Sequence, residues 1–483
     1  MNFTSIRLFA YSLLLLLVQF HVLPAQAQTQ QALQGIWLGK LEIKPDQQMT
    51  VAIEVKQDGQ AFMHSIDQNV YDIAIEEYSL KGDEVTIQIK SLNATYKGKI
   101  VGADAIQGGL AQNATTSFPL NFKKVDSLPR NKPRRPQEPT GKLPYTEEKV
   151  SYRNAHAGVR LAGTLTLPQA PGPHPAVVLV SGSGPTDRNA TVFGHKVFLV
   201  WADLLTRAGY AVLRVDDRGV GESEGNYEAA TLEDHARDAL AGVAYLKTRK
   251  EVDAQKVGLV GHSLGAEIAP IAAAQSQEVA FIVLMAGPGE PLTQGLITQS
   301  EAIYAQAGAS KEGIALNTKI LETVIEVIRS EKDSQAAKQK LARELEKFNP
   351  ALARLSAEDL KKLELSYPIK PTDFSWFLTP GGRSELLNQP TQALQRVNCP
   401  VLAMNGTKDV QVGHYNLPLI EKALRKGGNK QVSIKRWENK NHLFQTAETG
   451  SVPEYGEIEE TVAPEVIAYM VDWMNSLNTT SKK

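Results

Sequence analysis

Gly261-His262-Ser263-Leu264-Gly265 is the stretch of this sequence that decides the fold. The apolar run at 256–260 predicts a buried strand before it, and the small apolar residues at 266–274 predict an interior helix after it. A G-x-S-x-G pentapeptide between a strand and a helix predicts a sharp turn that exposes the serine at the end of the strand. We therefore expect a strained backbone at Ser263, with glycine on both sides because larger residues would collide across the turn. The alternative is an ordinary helix start that Ser263 caps.

Strands alternate with helices around this turn, from about residue 145 to the end of the chain. Further apolar runs predict strands at 159–167, 175–180, 210–215, 279–285, 401–404 and 432–437. This alternation is typical of the α/β class, with a mostly parallel sheet covered by helices on both faces. The interval of about 291–395 shows only helical spacing, and we interpret it as a helical lid inserted between two strands. The alternative is a helical decoration far from the chemistry.

The region before residue 145 has a different pattern. Short alternating runs and turn residues at 28–126 predict seven or eight strands, hence a small all-β, barrel-like accessory domain. Five prolines mark 127–144 as an extended linker, in which Lys132, Arg134 and Arg135 are expected to be solvated charge.

The first 27 residues are typical of a secretory signal. Arg7 precedes an apolar segment at 8–18, and Ala25-Gln26-Ala27 provides small residues before the predicted cleavage site. We expect an exported protein, periplasmic or extracellular, with no membrane span after cleavage. The alternative is an uncleaved anchor. The single cysteine, Cys399, excludes an internal disulfide.

Composition limits the classes of partner. The 483 residues suffice for two or three domains, and 52 basic residues nearly balance 53 acidic ones. A nucleic-acid partner would need a clustered basic face, so none is expected. The His, Asp and Glu residues show no metal-ligand spacing, so neither a metal nor another cofactor is implied. The oligomeric state is left open.

A serine hydroxyl needs a base to become a nucleophile, and histidine titrates in the right range. In sheets with a G-x-S-x-G turn, the partners follow in the order serine, acid, histidine. Beyond the turn itself, only His414 and His442 follow Ser263. His442 lies in a loop past the strand at 432–437, and Asp409 is the carboxylate in the loop after 401–404. We predict Ser263, Asp409 and His442 as a catalytic triad, with His414 as the weaker alternative to His442.

A tetrahedral intermediate also needs two preorganised hydrogen-bond donors for its oxyanion. The backbone N–H of Leu264 is one candidate, because it directly follows the nucleophile. The glycine-rich loop at 181–185 follows a central strand, and there Ser183 is the candidate for the second N–H. Two neighbouring clusters, at 216–223 and 186–188, are expected to be architectural.

These motifs together resemble a known family. Residues 145–483 are similar to bacterial α/β-hydrolases of the serine aminopeptidase-like or carboxylesterase-like branch. The matching stretches are Ser181-Gly182-Ser183-Gly184-Pro185-Thr186-Asp187-Arg188, Asp217-Arg218-Gly219-Val220-Gly221, Gly261-His262-Ser263-Leu264-Gly265 and Asn405-Gly406-Thr407-Lys408-Asp409-Val410-Gln411-Val412.

The resemblance implies a serine esterase that cleaves small acyl esters through an acyl-enzyme intermediate. Two alternatives stay open. One is an aminopeptidase-like amide hydrolase, which would need an acidic pocket for a free amine. The other is a glycan- or lipid-binding protein on a non-catalytic hydrolase scaffold.

Overall fold

The computed structural model describes residues 32–44, 47–67, 70–112, 116–129 and 133–480. The predicted signal sequence lies outside these residues. The chain divides into two compact units, Met1–Lys132 and Pro133–Lys483, so the division falls inside the predicted linker at 127–144. Within the described part of the chain, every helix is too short or too polar to cross a membrane.

The first unit is built from one antiparallel sheet of nine strands. The strands are β1 (Gly35–Lys44), β2 (Gln47–Val55), β3 (Ala61–Ser65), β4 (Val70–Ala74), β5 (Glu77–Lys81), β6 (Glu84–Ile89), β7 (Ala94–Ile100), β8 (Ala105–Gln112) and β9 (Thr116–Val125). Their order is β4-β3-β2-β1-β9-β8-β7-β6-β5. The two edge strands, β4 and β5, are consecutive in the chain and only two residues apart, so the sheet curls round as a barrel-like domain, as predicted.

The predicted count of seven or eight strands was too low. Both edge strands alternate exposed with half-buried residues, so they lack the buried apolar face that marks a strand in a sequence. Inside the sheet, Trp37 and Tyr96 are fully buried, and the indole N–H of Trp37 donates to the Leu33 carbonyl at 2.8 Å. The interior cavity beside Trp37 measures about 10 Å³, the room of a single water.

The second unit contains an eight-stranded sheet and a two-stranded hairpin. The strands are β10 (Tyr145–Asn154), β11 (Val159–Pro168), β12 (His174–Val180), β13 (Thr191–Val192), β14 (His195–Lys196), β15 (Ala211–Val215), β16 (Val252–His262), β17 (Ile282–Met285), β18 (Val401–Gly406) and β19 (Val432–Trp437). The large sheet has the order β10-β11-β15-β12-β16-β17-β18-β19, and β13 pairs with β14. From β15 to β19 all neighbours are parallel, whereas β10 and β11 form an antiparallel lead-in.

The helices of this unit either cover the two faces of the sheet or belong to the interval between β17 and β18. They are α1 (Val197–Arg207), α2 (Leu232–Lys247), α3 (Gly265–Gln275), α4 (Leu292–Gln306), α5 (Lys311–Ser330), α6 (Ser334–Glu346), α7 (Asn349–Leu352), α8 (Ala357–Lys362), α9 (Pro380–Leu387), α10 (Pro390–Leu394), α11 (Asn416–Lys426), α12 (Glu454–Glu457) and α13 (Pro464–Thr480). One core lies between the sheet, α2, α3 and α11, and another between the sheet, α1 and α13. The predicted α/β-hydrolase fold is confirmed.

The interval between β17 and β18 is helical, and it holds α4 to α10 and a 3₁₀ segment at Pro371–Leu378. These helices bury a cluster of their own, which includes Ile320, Val324 and Leu341. The insertion is therefore a packed subdomain.

The expectation of solvated charge in the linker was wrong for Arg135. Its guanidinium donates to the carbonyls of Gly456 and Ile458 at 2.7 and 2.8 Å. Backbone carbonyls that are not paired within a helix or a sheet need other hydrogen-bond donors. No sequence pattern indicates that the loop around α12 offers carbonyls to Arg135.

Candidate active site

The predicted sharp turn lies at the end of β16, the strand between β12 and β17. Ser263 has φ +54°, a left-handed conformation that costs a non-glycine residue about 1–3 kcal/mol. A Cβ on Gly261 would lie 2.1 Å from the Gly265 carbonyl oxygen, and one on Gly265 would lie 2.1 Å from that of Val180. The expected strain and the need for both glycines are thus confirmed.

The sheet register brings the ends of four strands to one edge. Val180 pairs with Gly261, and His262 pairs with Met285, which in turn pairs with Met404. The loops that follow β12, β16, β18 and β19 carry Ser183, Ser263, Asp409 and His442, in that order. Because these strands are parallel, their carboxyl ends meet on the same side.

Asp409 and His442 are in direct contact. The imidazole Nδ1 lies 2.8 Å from Asp409 Oδ2, and both side chains are buried. The second carboxylate oxygen accepts the backbone N–H groups of Gln411 and Val412, each at 2.9 Å. The loop therefore fixes the carboxylate, and the carboxylate orients the imidazole. Of the two histidine candidates, His442 is the one hydrogen bonded to Asp409.

A cavity of about 730 Å³ opens at this edge of the sheet. Ser183, Ser263, Leu264 and His442 all line it, whereas Asp409 lies behind His442. The walls are largely apolar and come from both the sheet side and the insertion, with Val197, Phe198, Leu292, Leu296, Trp376 and Phe377 among them. A polar edge inside a mostly apolar cavity suits a small organic substrate.

The loop after β12 is fixed to the strand-end cluster at 216–223. The Asp217 carboxylate accepts the Ser181 hydroxyl at 2.7 Å and the Thr186 backbone N–H at 2.9 Å. Burial raises the pKa of Asp217 to about 7. Gly182 lies between the two loop residues that Asp217 binds, and it is close to Ser263. A Cβ on Gly182 would be 3.3 Å from Ser263 Cβ.

His262 contacts the loop that carries His442. One of its ring nitrogens, Nε2, lies 2.9 Å from the backbone oxygen of His442, and its ring packs edge-on against Trp201. Burial lowers the pKa of His262 to about 3, so at neutral pH it is uncharged and Nε2–H donates to that carbonyl.

Two buried glutamates that the sequence did not single out line the cavity. Glu267 on α3 accepts a hydrogen bond from Asn388, and burial raises its pKa to about 8. Glu385 on α9 accepts the Ser183 hydroxyl at 3.1 Å, and burial raises its pKa as well. Glu267 was detectable as the one charge in a small apolar helix. Glu385 is one of many glutamates in the insertion and gave no such signal.

A separate cluster lies in the β unit. Glu54, His64 and Asp72 lie on three successive strands and bring potential ligand atoms within 4.8 Å of one another. The sequence spacing did not indicate this cluster, because cross-strand pairing creates it. The Asp72 backbone N–H donates to His64 Nδ1 at 3.1 Å, so this nitrogen already accepts a hydrogen bond from the neighbouring strand.

Comparison with protein-family models gives a match over residues 157–441, more than half of the chain. The matching model is described as X-Pro dipeptidyl-peptidase, S15 family. The chain belongs to the S15 family. The matched range contains Ser263 and Asp409 and ends one residue before His442. The predicted resemblance to bacterial α/β-hydrolases is confirmed.

The chain is also similar to individual proteins. The chain is 28% identical over 315 residues to esterase EstD of Thermotoga maritima, covering 64% of this chain and 65% of the esterase. It is 29% identical over 157 residues to an uncharacterized 31.7 kDa protein of Escherichia coli, covering 32% of this chain and 51% of that protein. The chain thus spans between half and two thirds of the length of these relatives.

Among solved structures, the Pyrococcus furiosus esterase Pf2001 aligns with a TM-score of 0.42 at 16% identity, over 72% of this chain and 99% of that one. The α/β hydrolase GrgF from Penicillium aligns with a TM-score of 0.43 at 16% identity, over 69% and 99%. The strand order of the large sheet and the S15 family match indicate the α/β-hydrolase fold of this chain.

Proposed function

We propose that this protein is a serine hydrolase that cleaves small carboxylic esters. The observation that carries the proposal is the hydrogen bond that His442 Nδ1–H donates to the Asp409 carboxylate, because this imidazole shares a cavity with a strained Ser263. Hydrolysis of an acyl bond needs a nucleophile, a base and an oriented carboxylate, and these three residues supply them. Similarity to an esterase supports an ester as the substrate.

In the proposed mechanism, Ser263 Oγ attacks the acyl carbonyl while His442 Nε2 accepts the hydroxyl proton. Asp409 holds the other ring nitrogen and stabilises the imidazolium that forms. The N–H groups of Leu264 and Ser183 bind the oxyanion. His442 then returns the proton to the leaving alcohol, and a water activated by the same imidazole hydrolyses the acyl-enzyme. These steps draw only on groups of the chain itself and on water.

The test is Ser263→Ala. We expect it to abolish turnover of p-nitrophenyl butyrate and labelling by a fluorophosphonate probe while the thermal unfolding midpoint stays within a few degrees. Near wild-type turnover by this variant would contradict the proposal. A wild-type protein that the probe does not label would favour a binding protein on a hydrolase scaffold.

A peptidase is the second candidate, and the S15 match favours it. A free substrate amine needs an ionised carboxylate, but the raised pKa of Glu267 leaves that group mostly protonated at neutral pH. Glu290, which is half-buried and lines the same cavity, is the alternative, and it accepts the Tyr415 hydroxyl at 2.7 Å. Comparing X-Pro p-nitroanilides with acyl p-nitrophenyl esters at equal concentration decides between the two.

A further inference from the structure

Helix α9 of the insertion contacts both elements that carry the predicted oxyanion donors. Its Glu385 accepts the Ser183 hydroxyl with Oε1, at 3.1 Å, and the Trp376 indole N–H with Oε2, at 3.3 Å. Asn388, at the end of the same helix, donates to Glu267 on α3, the helix that begins directly after Leu264. One turn of the insertion therefore reaches both sides of the predicted oxyanion hole.

The position of α9 is itself fixed by contacts with the segment at 228–232, before and at the start of α2. The Gly381 N–H donates to the Glu228 carbonyl at 2.9 Å, and the Leu232 N–H at the start of α2 donates to the Ser384 hydroxyl at 3.1 Å. A Cβ on Gly381 would lie 2.8 Å from the Ala230 carbonyl oxygen, so the helix approaches the backbone before α2 closely. These contacts fix the helix that carries Glu385, and this residue is only 7% exposed.

The loop that carries Ser183 needs such a restraint. Gly182 and Gly184 flank Ser183, and Gly184 has φ +88°. Glycine permits many backbone conformations, so two of them around one donor leave its N–H free to turn away. Asp217 holds the loop at Ser181 and Thr186, its two ends. Within the loop, the Thr186 hydroxyl donates to the Gly184 carbonyl at 2.9 Å, and Glu385 binds Ser183 itself. An oxyanion donor must be preorganised, and displacement by about 1 Å can cost about 10²-fold in rate.

We propose that Glu385 is a positioning residue, which holds the Ser183 backbone N–H at the oxyanion through the Ser183 side chain. This inference rests on the proposed function. Glu385 does not touch the reacting atoms, and it acts on the second donor of the oxyanion hole across 202 residues of sequence. The insertion thereby completes the catalytic site.

A double-mutant cycle tests the contact. Glu385→Ala and Ser183→Ala each remove one partner, and Ser183→Ala leaves the backbone N–H in place. We expect each to lower kcat for p-nitrophenyl butyrate about 10- to 100-fold with KM within about twofold, because substrate binding does not use the contact. The double variant should be no slower than the slower single variant, because both changes remove the same interaction.

Rescue separates positioning from general damage to the fold. A Glu385→Gln amide donates to the Ser183 oxygen and accepts from Trp376, so it should recover most of the kcat lost in Glu385→Ala. The control is Glu344→Ala in α6, because Glu344 binds Lys347 at the surface of the same insertion. It should retain wild-type kcat. Unfolding midpoints are recorded for every variant.

Wild-type kcat in Glu385→Ala, or effects of the two single variants that simply multiply, would overturn the inference. Failure of the proposed function looks different, because the wild-type protein would then neither hydrolyse the ester nor react with the fluorophosphonate. Equal kcat in the Gln and Ala variants at position 385 would also count against positioning.

Discussion

Asp409→Asn is the sharpest test of the predicted triad, because the structure shows what the change removes and what it leaves. The amide oxygen of asparagine still accepts the Gln411 and Val412 N–H groups, so the loop keeps its conformation. The amide NH₂ replaces the oxygen that lies 2.8 Å from His442 Nδ1. Two donors then face each other, and the imidazole shifts its proton to Nε2, where it blocks acceptance of the serine proton.

The size of the effect follows from the lost charge. Both side chains are at most 5% exposed. Unit charges about 4 Å apart attract by about 4 kcal/mol at an effective dielectric constant of about 20. Ser263 attack creates the imidazolium, so this attraction appears only in the transition state. Its loss lowers kcat about 10³-fold, and the wrong tautomer lowers it further.

The assay is steady-state hydrolysis of p-nitrophenyl butyrate at pH 8, with kcat and KM determined separately. We expect kcat to fall about 10³- to 10⁴-fold with KM nearly unchanged. Asp253→Asn is the matched control, because Asp253 also accepts an N–H two residues on, from Gln255 at 3.1 Å, but at the start of β16. A loss of less than about tenfold in Asp409→Asn would refute the role of Asp409.

Two further predictions concern stability and export. Asp217→Asn keeps both loop contacts, since the amide donates to the Ser181 oxygen and accepts from Thr186. The native carboxyl has a pKa near 7 and the unfolded one near 3.8, so wild-type stability falls as pH rises between these values. The stability of the variant relative to wild type should therefore rise by up to about 4 kcal/mol from pH 4 to 7 and then level off in urea unfolding series; a constant difference would contradict the assigned pKa. For the predicted signal, mass spectrometry of protein exported by expressing cells should find Gln28 as the first residue, and retention of residues 1–27 would refute cleavage.

The features that sequence reasoning located are those that backbone geometry dictates locally. The turn at Ser263 follows from the contact distances that only glycine at 261 and 265 allows. Asp409 and His442 follow from strand order, because loops at the carboxyl ends of neighbouring parallel strands share one edge. The pairing of Met404 with Met285 brings β18 beside β17, and the next strand carries the loop with His442. Their roles in catalysis stay predictions until the variants are measured.

The features that sequence reasoning did not find depend on how distant segments pack. Arg135 meets its carbonyl partners more than 300 residues away in the sequence, and Glu385 reaches Ser183 across 202. Helical spacing predicts that the insertion is helical, but not which glutamate its packing buries. A buried carboxyl needs partners, and here they come from the loop after β12 and from Trp376.

Both local backbone geometry and the packing of distant segments are needed to hold the strained and buried groups of the site. The left-handed Ser263 and the buried carboxyls of Asp217 and Glu385 each oppose folding, so their surroundings must over-determine them. For Ser263 the restraint is the sheet, since its N–H donates to the Met285 carbonyl at 2.9 Å. For the loop after β12 the restraints are two carboxyls, Asp217 at both ends of the loop and Glu385 of the insertion at its middle. Changes in α9 should therefore alter kcat even though α9 lies outside the predicted triad.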